Sequence, residues 1–209
     1  MEKSIETIWK DGFLKPDALI APKLNNLYEQ KSQHLIDKFK RMFKINLRAI
    51  FIGSLIVLPI SFLVKIPVMG VLLFFIANTI VLVNRKLQKG LLDIDLNVNS
   101  YQYIKTFDEW LKKQLAINSK MARIYYPLIF LSVVLGFWFS PNVPNIFESP
   151  NQIYFFYGIP VFWALGVLLI TALLSLFGGV IYKWDVNMIY GNVFRKLNDM
   201  IADMNELRA

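Results

Sequence analysis

The stretch Ala49–Asn84, AIFIGSLIVLPISFLVKIPVMGVLLFFIANTIVLVN, decides the fold: it runs for 36 residues with Lys65 as its only charge. A helix rises ~1.5 Å per residue and a bilayer's hydrocarbon core is ~30 Å thick, so one crossing takes about 20 apolar residues. Thirty-six is too long for one crossing and too apolar for a soluble domain of this size. Lys65, Ile66 and Pro67 interrupt the stretch near its centre, and Pro suits the first turn of a following helix. The reading is two spans, Leu47–Val64 and Pro67–Asn84, turned back at the far side. Arg48 snorkels at the inner end of the first, and Arg85, Lys86 and Lys89 close the second.

Working outward, a second stretch repeats the pattern. From Ile124 to Tyr182 the only charge is Glu148. Span three is expected over about Ile124–Ser140, an outer loop over Pro141–Gln152, and span four over Ile153–Tyr182, with its first part, Ile153–Pro160, interfacial or kinked. Trp138, Tyr154, Phe155, Phe156, Tyr157 and Trp163 suit an aromatic belt at the outer interface. The expected fold class is all-α: an integral membrane protein with four transmembrane helices in two hairpins and amphipathic cytoplasmic helices. Its regions are a cytoplasmic amphipathic N-terminal part (1–46), hairpin one (47–84), a cytoplasmic amphipathic region (85–123), hairpin two (124–182) and a C-terminal cytoplasmic helix (183–209). The rhythm of amphipathic helix, hairpin, amphipathic helix occurs twice, with little residue identity between the halves.

The net charge of +8 matters less than its placement. Met1–Arg48 carries ten Lys/Arg against six Asp/Glu, Arg85–Arg123 eight against four, and Lys183–Ala209 four of each. The far-side connections hold Lys65 and Glu148 alone. That is the positive-inside pattern, which places both termini in the cytoplasm and the protein in the inner (plasma) membrane, with no nucleic-acid role. The first 45 residues are polar and amphipathic, so no cleavable signal peptide is expected.

The chemistry-bearing residues are few. There is no cysteine, which excludes disulfides, thiol catalysis and Cys-ligated metals. His34 is the single histidine and reads as a helix-surface residue. Asp93, Asp95, Asn97 and Asn99 resemble the start of a calcium loop. The glycine of its sharp turn and the closing glutamate are absent. Asn99 or Ser100 would instead cap the next helix. No phosphate loop, dinucleotide fingerprint or nucleophile elbow occurs. No cofactor, metal or catalytic residue is expected, and the enzyme class is the least favoured.

Three sets of residues remain. Leu24, Leu27, Tyr28, Leu35, Phe39, Met42 and Phe43 share one helical face, as do Tyr101, Ile104, Phe107, Trp110, Leu111 and Leu115. Their aromatic members, with Tyr103 and Trp9 nearer the start, are expected to bind a partner or a second copy; the plainer reading is packing among the chain's own helices. A stripe at Val186, Ile189, Val193, Leu197, Met200, Met204 and Leu207 pairs within the chain or across a homodimer. Small residues at every fourth position, Ser132, Gly136, Ser140 and Thr171, Ser175, Gly179, are expected to pack span three on span four. Ser54, Asn78 and Thr79 are the polar residues that would line a pore.

The segments Ile8-Trp9, Leu27-Tyr28-Glu29-Gln30-Lys31-Ser32, Lys38–Asn46, Val98–Tyr103 and Leu135-Gly136-Phe137-Trp138-Phe139 give the chain a resemblance to an uncharacterised family of small bacterial four-span membrane proteins. Some members are associated with sigma-factor genes, which implies an anti-sigma-like or other membrane-anchored regulator. The zinc-binding anti-sigma pattern is absent, since the chain lacks Cys and has one His. Two functions are carried forward. The first is a non-enzymatic membrane regulator or scaffold whose partners are the lipid bilayer and a cytoplasmic protein or a homo-oligomer. The second is an oligomeric channel or small passive transporter.

Overall fold

The computed structural model describes residues 16–92, 94, 100–141, 155–156 and 159–206, with side chains from residue 30 onward except at 92, 100, 155, 156 and 159. It is all-α apart from one short strand pair. The elements are α1 (Pro16–Leu63), α2 (Pro67–Leu92), α3 (Ser100–Trp138), β1 (Phe155–Phe156), β2 (Ile159–Pro160) and α4 (Val161–Glu206). Four helices are long and apolar enough to cross a membrane, the architecture of a multi-pass membrane protein.

The helices do not stop where the apolar sequence stops. α1 has 48 residues, roughly 70 Å, more than twice the ~30 Å of a hydrocarbon core. No Gly or Pro falls between Lys23 and Ile52, so nothing breaks the helix between its polar and apolar parts. The same holds from Ser100 to Tyr126 in α3. The amphipathic stretches that precede the two charge-free stretches are therefore the polar halves of long helices, continuous with the apolar halves.

The turn between α1 and α2 is a Schellman cap. Ile66 N–H donates to Ser61 O at 2.8 Å, and Lys65 N–H to Phe62 O at 3.1 Å. Lys65 takes the left-handed position usually given to glycine, with φ at 62°. Ile66 is buried behind it, and Pro67 opens α2 with its φ already helical. Immediately before α4, β1 and β2 pair antiparallel, Phe155 with Pro160 and Phe156 with Ile159. This corrects the expected start of span four: α4 begins at Val161 because Pro160 disfavours helical φ/ψ at the residue before it.

In the apolar half, large side chains point outward. Leu165, Leu168, Leu176 and Phe177 are all more than half exposed. Such a continuous apolar surface fits lipid and not water. Close backbone approach holds these helices together, at places that correct the expected stripe. Gly136 faces α2, where an added Cβ would meet Met69 Cα and N at 3.0 Å. The Ser140 hydroxyl donates to Lys65 O at 2.9 Å, and buried Ser132 donates to Leu128 O of its own helix. Gly136 and Ser140 of span three thus meet the first helix pair. Of the α4 set, Ser175 is exposed and Thr171 bonds Val167 O, while Gly179 and its neighbour Gly178 lie on α3. A Cβ on Gly178 would come within 2.8 Å of Ala122 O and 3.0 Å of Arg123 Cα. At the far end the Trp138 and Trp163 rings meet, centroids 4.8 Å apart.

Two outcomes follow in detergent-solubilised protein. Gly178→Ala pushes backbone against backbone and lowers stability by roughly 1–3 kcal/mol, whereas Gly166→Ala, which meets open space, is neutral or stabilising; thermal unfolding followed by circular dichroism separates the two. Lys65→Gly relieves the left-handed strain and gains about 1 kcal/mol, while Lys65→Val loses at least as much.

Candidate functional site

The polar half has a core of its own. α1 supplies Leu35, Ile36, Phe39, Phe43 and Leu47, α3 Tyr103, Ile104, Phe107 and Leu111, and α4 Val186, Tyr190, Val193, Leu197 and Met204. Phe39 is central. Its ring lies edge-on to Phe107 at 5.5 Å, 5.2 Å from Tyr190, 5.8 Å from Phe43 and 6.1 Å from Trp110. Trp110 Nε1 donates to Leu87 O at 3.3 Å, tying α3 to α2. Burial pushes the Tyr103 phenol above its ordinary pKa, and the Asp37 carboxylate adds to the effect.

This corrects the expected partner face. Phe39, Tyr103 and Phe107 are 2%, 5% and 0% exposed, closed against one another and α4, and Trp110 is half-buried with them. The Phe39, Phe107 and Trp110 rings meet one another as part of the core. Trp9 and the Tyr28 side chain lie outside the described residues. The α4 stripe resolves within the chain too: Val186, Val193, Leu197 and Met204 are buried, while Ile189 is half exposed.

What the polar half leaves open is a groove of about 480 Å³ between α1 and α4. Lys31, His34, Leu35 and Lys38 line it from α1, and Asn192, Val193, Lys196, Asp199 and Met200 from α4. Leu35 and Val193 form a buried apolar floor, and the walls carry three lysines, one histidine and one carboxylate. His34 is at the surface, as its sequence context indicated, but beside this groove. Lys31, His34 and Lys38 recur at three- and four-residue steps beside the apolar stripe, a signal the sequence carried. The pairing with α4 was not readable there.

A second opening, about 210 Å³, sits where charged sequence gives way to charge-free sequence. All four helices line it, with Asn46, Asn84, Asn118, Tyr125, Tyr126, Tyr182, Asp185 and Tyr190 among the residues. Most of these polar groups bond across helices. The Asn46 amide donates to the Tyr190 hydroxyl at 3.2 Å, Gln114 Nε2 to Asn84 Oδ1 at 3.1 Å, and the Tyr126 hydroxyl to the Asp185 carboxylate. Burial holds the Tyr190 phenol above its ordinary pKa, an effect the Asn46 bond partly opposes. The opening is thus ringed by a polar belt that joins the helices to one another.

The residues named for a pore are spread out. The Asn78 amide donates to Ser54 Oγ at 3.3 Å across α1 and α2 and to Phe74 O at 2.8 Å, and the Ser54 hydroxyl donates to Phe51 O. Thr79 bonds Phe75 O of its own helix. These bonds satisfy the hydroxyls and amides within the helices that carry them or between neighbours.

The core and the belt differ in what they contribute. Phe39→Ala removes the ring at the centre of the cluster and costs about 3–5 kcal/mol. Tyr190→Phe removes one hydrogen bond and costs roughly 0.5–1.5 kcal/mol. Thermal unfolding of the two variants checks the order.

No family model, curated protein or solved structure matches the chain.

Proposed function

We propose that this chain is a non-enzymatic, multi-pass protein of the inner (plasma) membrane, with both termini and the whole polar half in the cytoplasm. Its helices form two transmembrane hairpins. The supporting observation is that every Lys and Arg except Lys65 belongs to the polar half or its edge, as the positive-inside rule requires. In this placement the exposed leucines and phenylalanines of the apolar half contact lipid tails.

Its role is that of a membrane-anchored regulator or scaffold that holds a cytoplasmic protein partner through an acidic amphipathic helix. The groove between α1 and α4 carries this reading: its apolar floor suits the hydrophobic face of a helix, and Lys38 and Lys196 outnumber the Asp199 carboxylate. The aromatic face first assigned to this task is withdrawn, since it is core. An anti-sigma-like regulator, implied by the resemblance, is one instance of the proposed class. The channel alternative draws no support from Ser54, Asn78 and Thr79, whose bonds stay within α1 and α2.

The test uses full-length protein in detergent and a fluorescent peptide designed as a Glu-rich amphipathic helix. Binding is expected at low salt and should weaken steeply as salt rises. Lys31→Gln/Lys38→Gln/Lys196→Gln should reduce it at least tenfold, and a Lys-rich peptide of the same apolar face should not bind. Equal affinity for both peptides, or no loss in the triple variant, would sink the proposal. So would a size measurement showing the groove closed by a second copy.

A further inference from the structure

A third opening, of about 320 Å³, lies between α1 and α2, and four of its six lining residues are cationic. Lys44, Leu47 and Arg48 come from α1, and Arg85, Gln88 and Lys89 from α2. No carboxylate lines it. Among the described residues the ion pairs are Lys40 with Asp37 and Lys112 with Asp108, so none of these four cations is neutralised by an ion pair there. Lys44 and Arg48 are four residues apart, as are Arg85 and Lys89. Like charges at that spacing repel along each helix, and here two such pairs confront each other across one groove. Cations that merely snorkel would spread around the helices. Their convergence on one opening is the geometry of an anion site.

We propose that this groove binds the phosphate of one anionic lipid headgroup. The inference rests on the membrane placement given above. Arg48 immediately precedes the charge-free stretch on α1 and Arg85 immediately follows it on α2, so the groove stands at the level of the inner headgroups. Basic pockets between helices on this side of a membrane take phosphate headgroups, each cation adding to the attraction. The two arginines offer paired N–H donors matched to phosphate oxygens, the lysines add point charge, and the Gln88 amide adds a neutral donor. Leu47 forms a buried apolar floor. Phe51, Ile52 and Leu82, exposed on the same two helices, give the acyl chains an apolar surface beyond the groove. A free phosphate ion would gain nothing from that surface, which is why the lipid is favoured as its source.

The experiment titrates dioleoylphosphatidylglycerol into the full-length protein in mixed detergent micelles and reads bound lipid by native mass spectrometry. One saturable lipid is expected. Arg48→Gln/Arg85→Gln should bind it roughly thirtyfold more weakly, from the loss of two cations. Arg41→Gln/Lys86→Gln removes the same charge outside the groove and should change affinity less than twofold. Equal losses in both variants would mean diffuse surface attraction and overturn the site. Equal binding of phosphatidylcholine, or displacement of the lipid by inorganic phosphate at matching concentration, would overturn the lipid assignment. Should the double variant fail to fold, Lys89→Gln with a several-fold loss serves in its place, and no loss there counts against the site. Carbonate extraction of native membranes tests the placement separately: protein released to the soluble fraction would refute the membrane reading, whereas retained protein that ignores anionic lipid refutes only this proposal.

Discussion

A ring of hydrogen bonds between helices, set where charged sequence meets charge-free sequence, is the constraint on which the rest of the structure depends. Asn46 to Tyr190 joins α1 to α4, Gln114 to Asn84 joins α3 to α2, and Tyr126 to Asp185 joins α3 to α4, where Ser119 Oγ also reaches Gly179 O at 3.3 Å. Lipid tails are as apolar as leucine, so in a bilayer the apolar half would have no hydrophobic drive to choose its own helix register. The polar half is driven together by burial around Phe39, a force with little directional preference. The ring lies between the two and is directional. A one-residue rotation of any helix would leave buried amides unpaired, at roughly 1–3 kcal/mol each. Gln114 Oε1 has no partner among the described residues.

Helix continuity makes this ring matter on both sides. Because α1, α3 and α4 pass through it unbroken, the angle fixed at Asn46 and Tyr190 also sets how Lys31 and Lys38 face Lys196 further along. In the other direction it sets where Gly178 meets Ala122 and where Gly136 meets Met69. The grooves are consequences of the same register: α1 and α4 converge on the core through Phe39 and Tyr190, and their flanks diverge to leave the opening lined by Leu35 and Val193.

The fold was largely legible in the sequence, and the site was not. Charge-free length and the Lys65-Ile66-Pro67 break specify four apolar helices, because they depend on one-dimensional quantities. Helix periodicity also placed Phe39, Phe107, Val193 and Leu197 on the apolar faces of their helices. Periodicity gives the face, however, and not what covers it. An aromatic stripe reads the same whether its neighbour is another protein or α4. The small residues show the same limit, since spacing marks Gly136 and Ser140 as contact points without saying that Met69 and Lys65 would be the contacts. The polar ring was missed for a related reason. Asn84, Gln114, Asn118 and Asp185 are unremarkable singly, and only their common height along four helices makes them a group.

The cations of α1 show how much of the chemistry is a matter of phase. At ~100° per residue, Ser32, Leu35, Ile36, Phe39, Phe43 and Leu47 occupy one inward sector, all of them buried. Lys31 and Lys38, seven residues apart, fall on one flank of that sector, toward α4. Lys44 and Arg48, four apart, fall on the other, toward α2. Composition pools these residues into one basic segment. The helix separates them into two grooves that differ in what stands opposite. Across from Lys31 and Lys38 are Lys196, Asp199 and the apolar Met200, a mixed wall suited to a side-chain-bearing helix. Across from Lys44 and Arg48 are Arg85 and Lys89, a wall of cations with no carboxylate. The basic surplus is thus divided between two openings of different lining by the buried face of the helix that carries both.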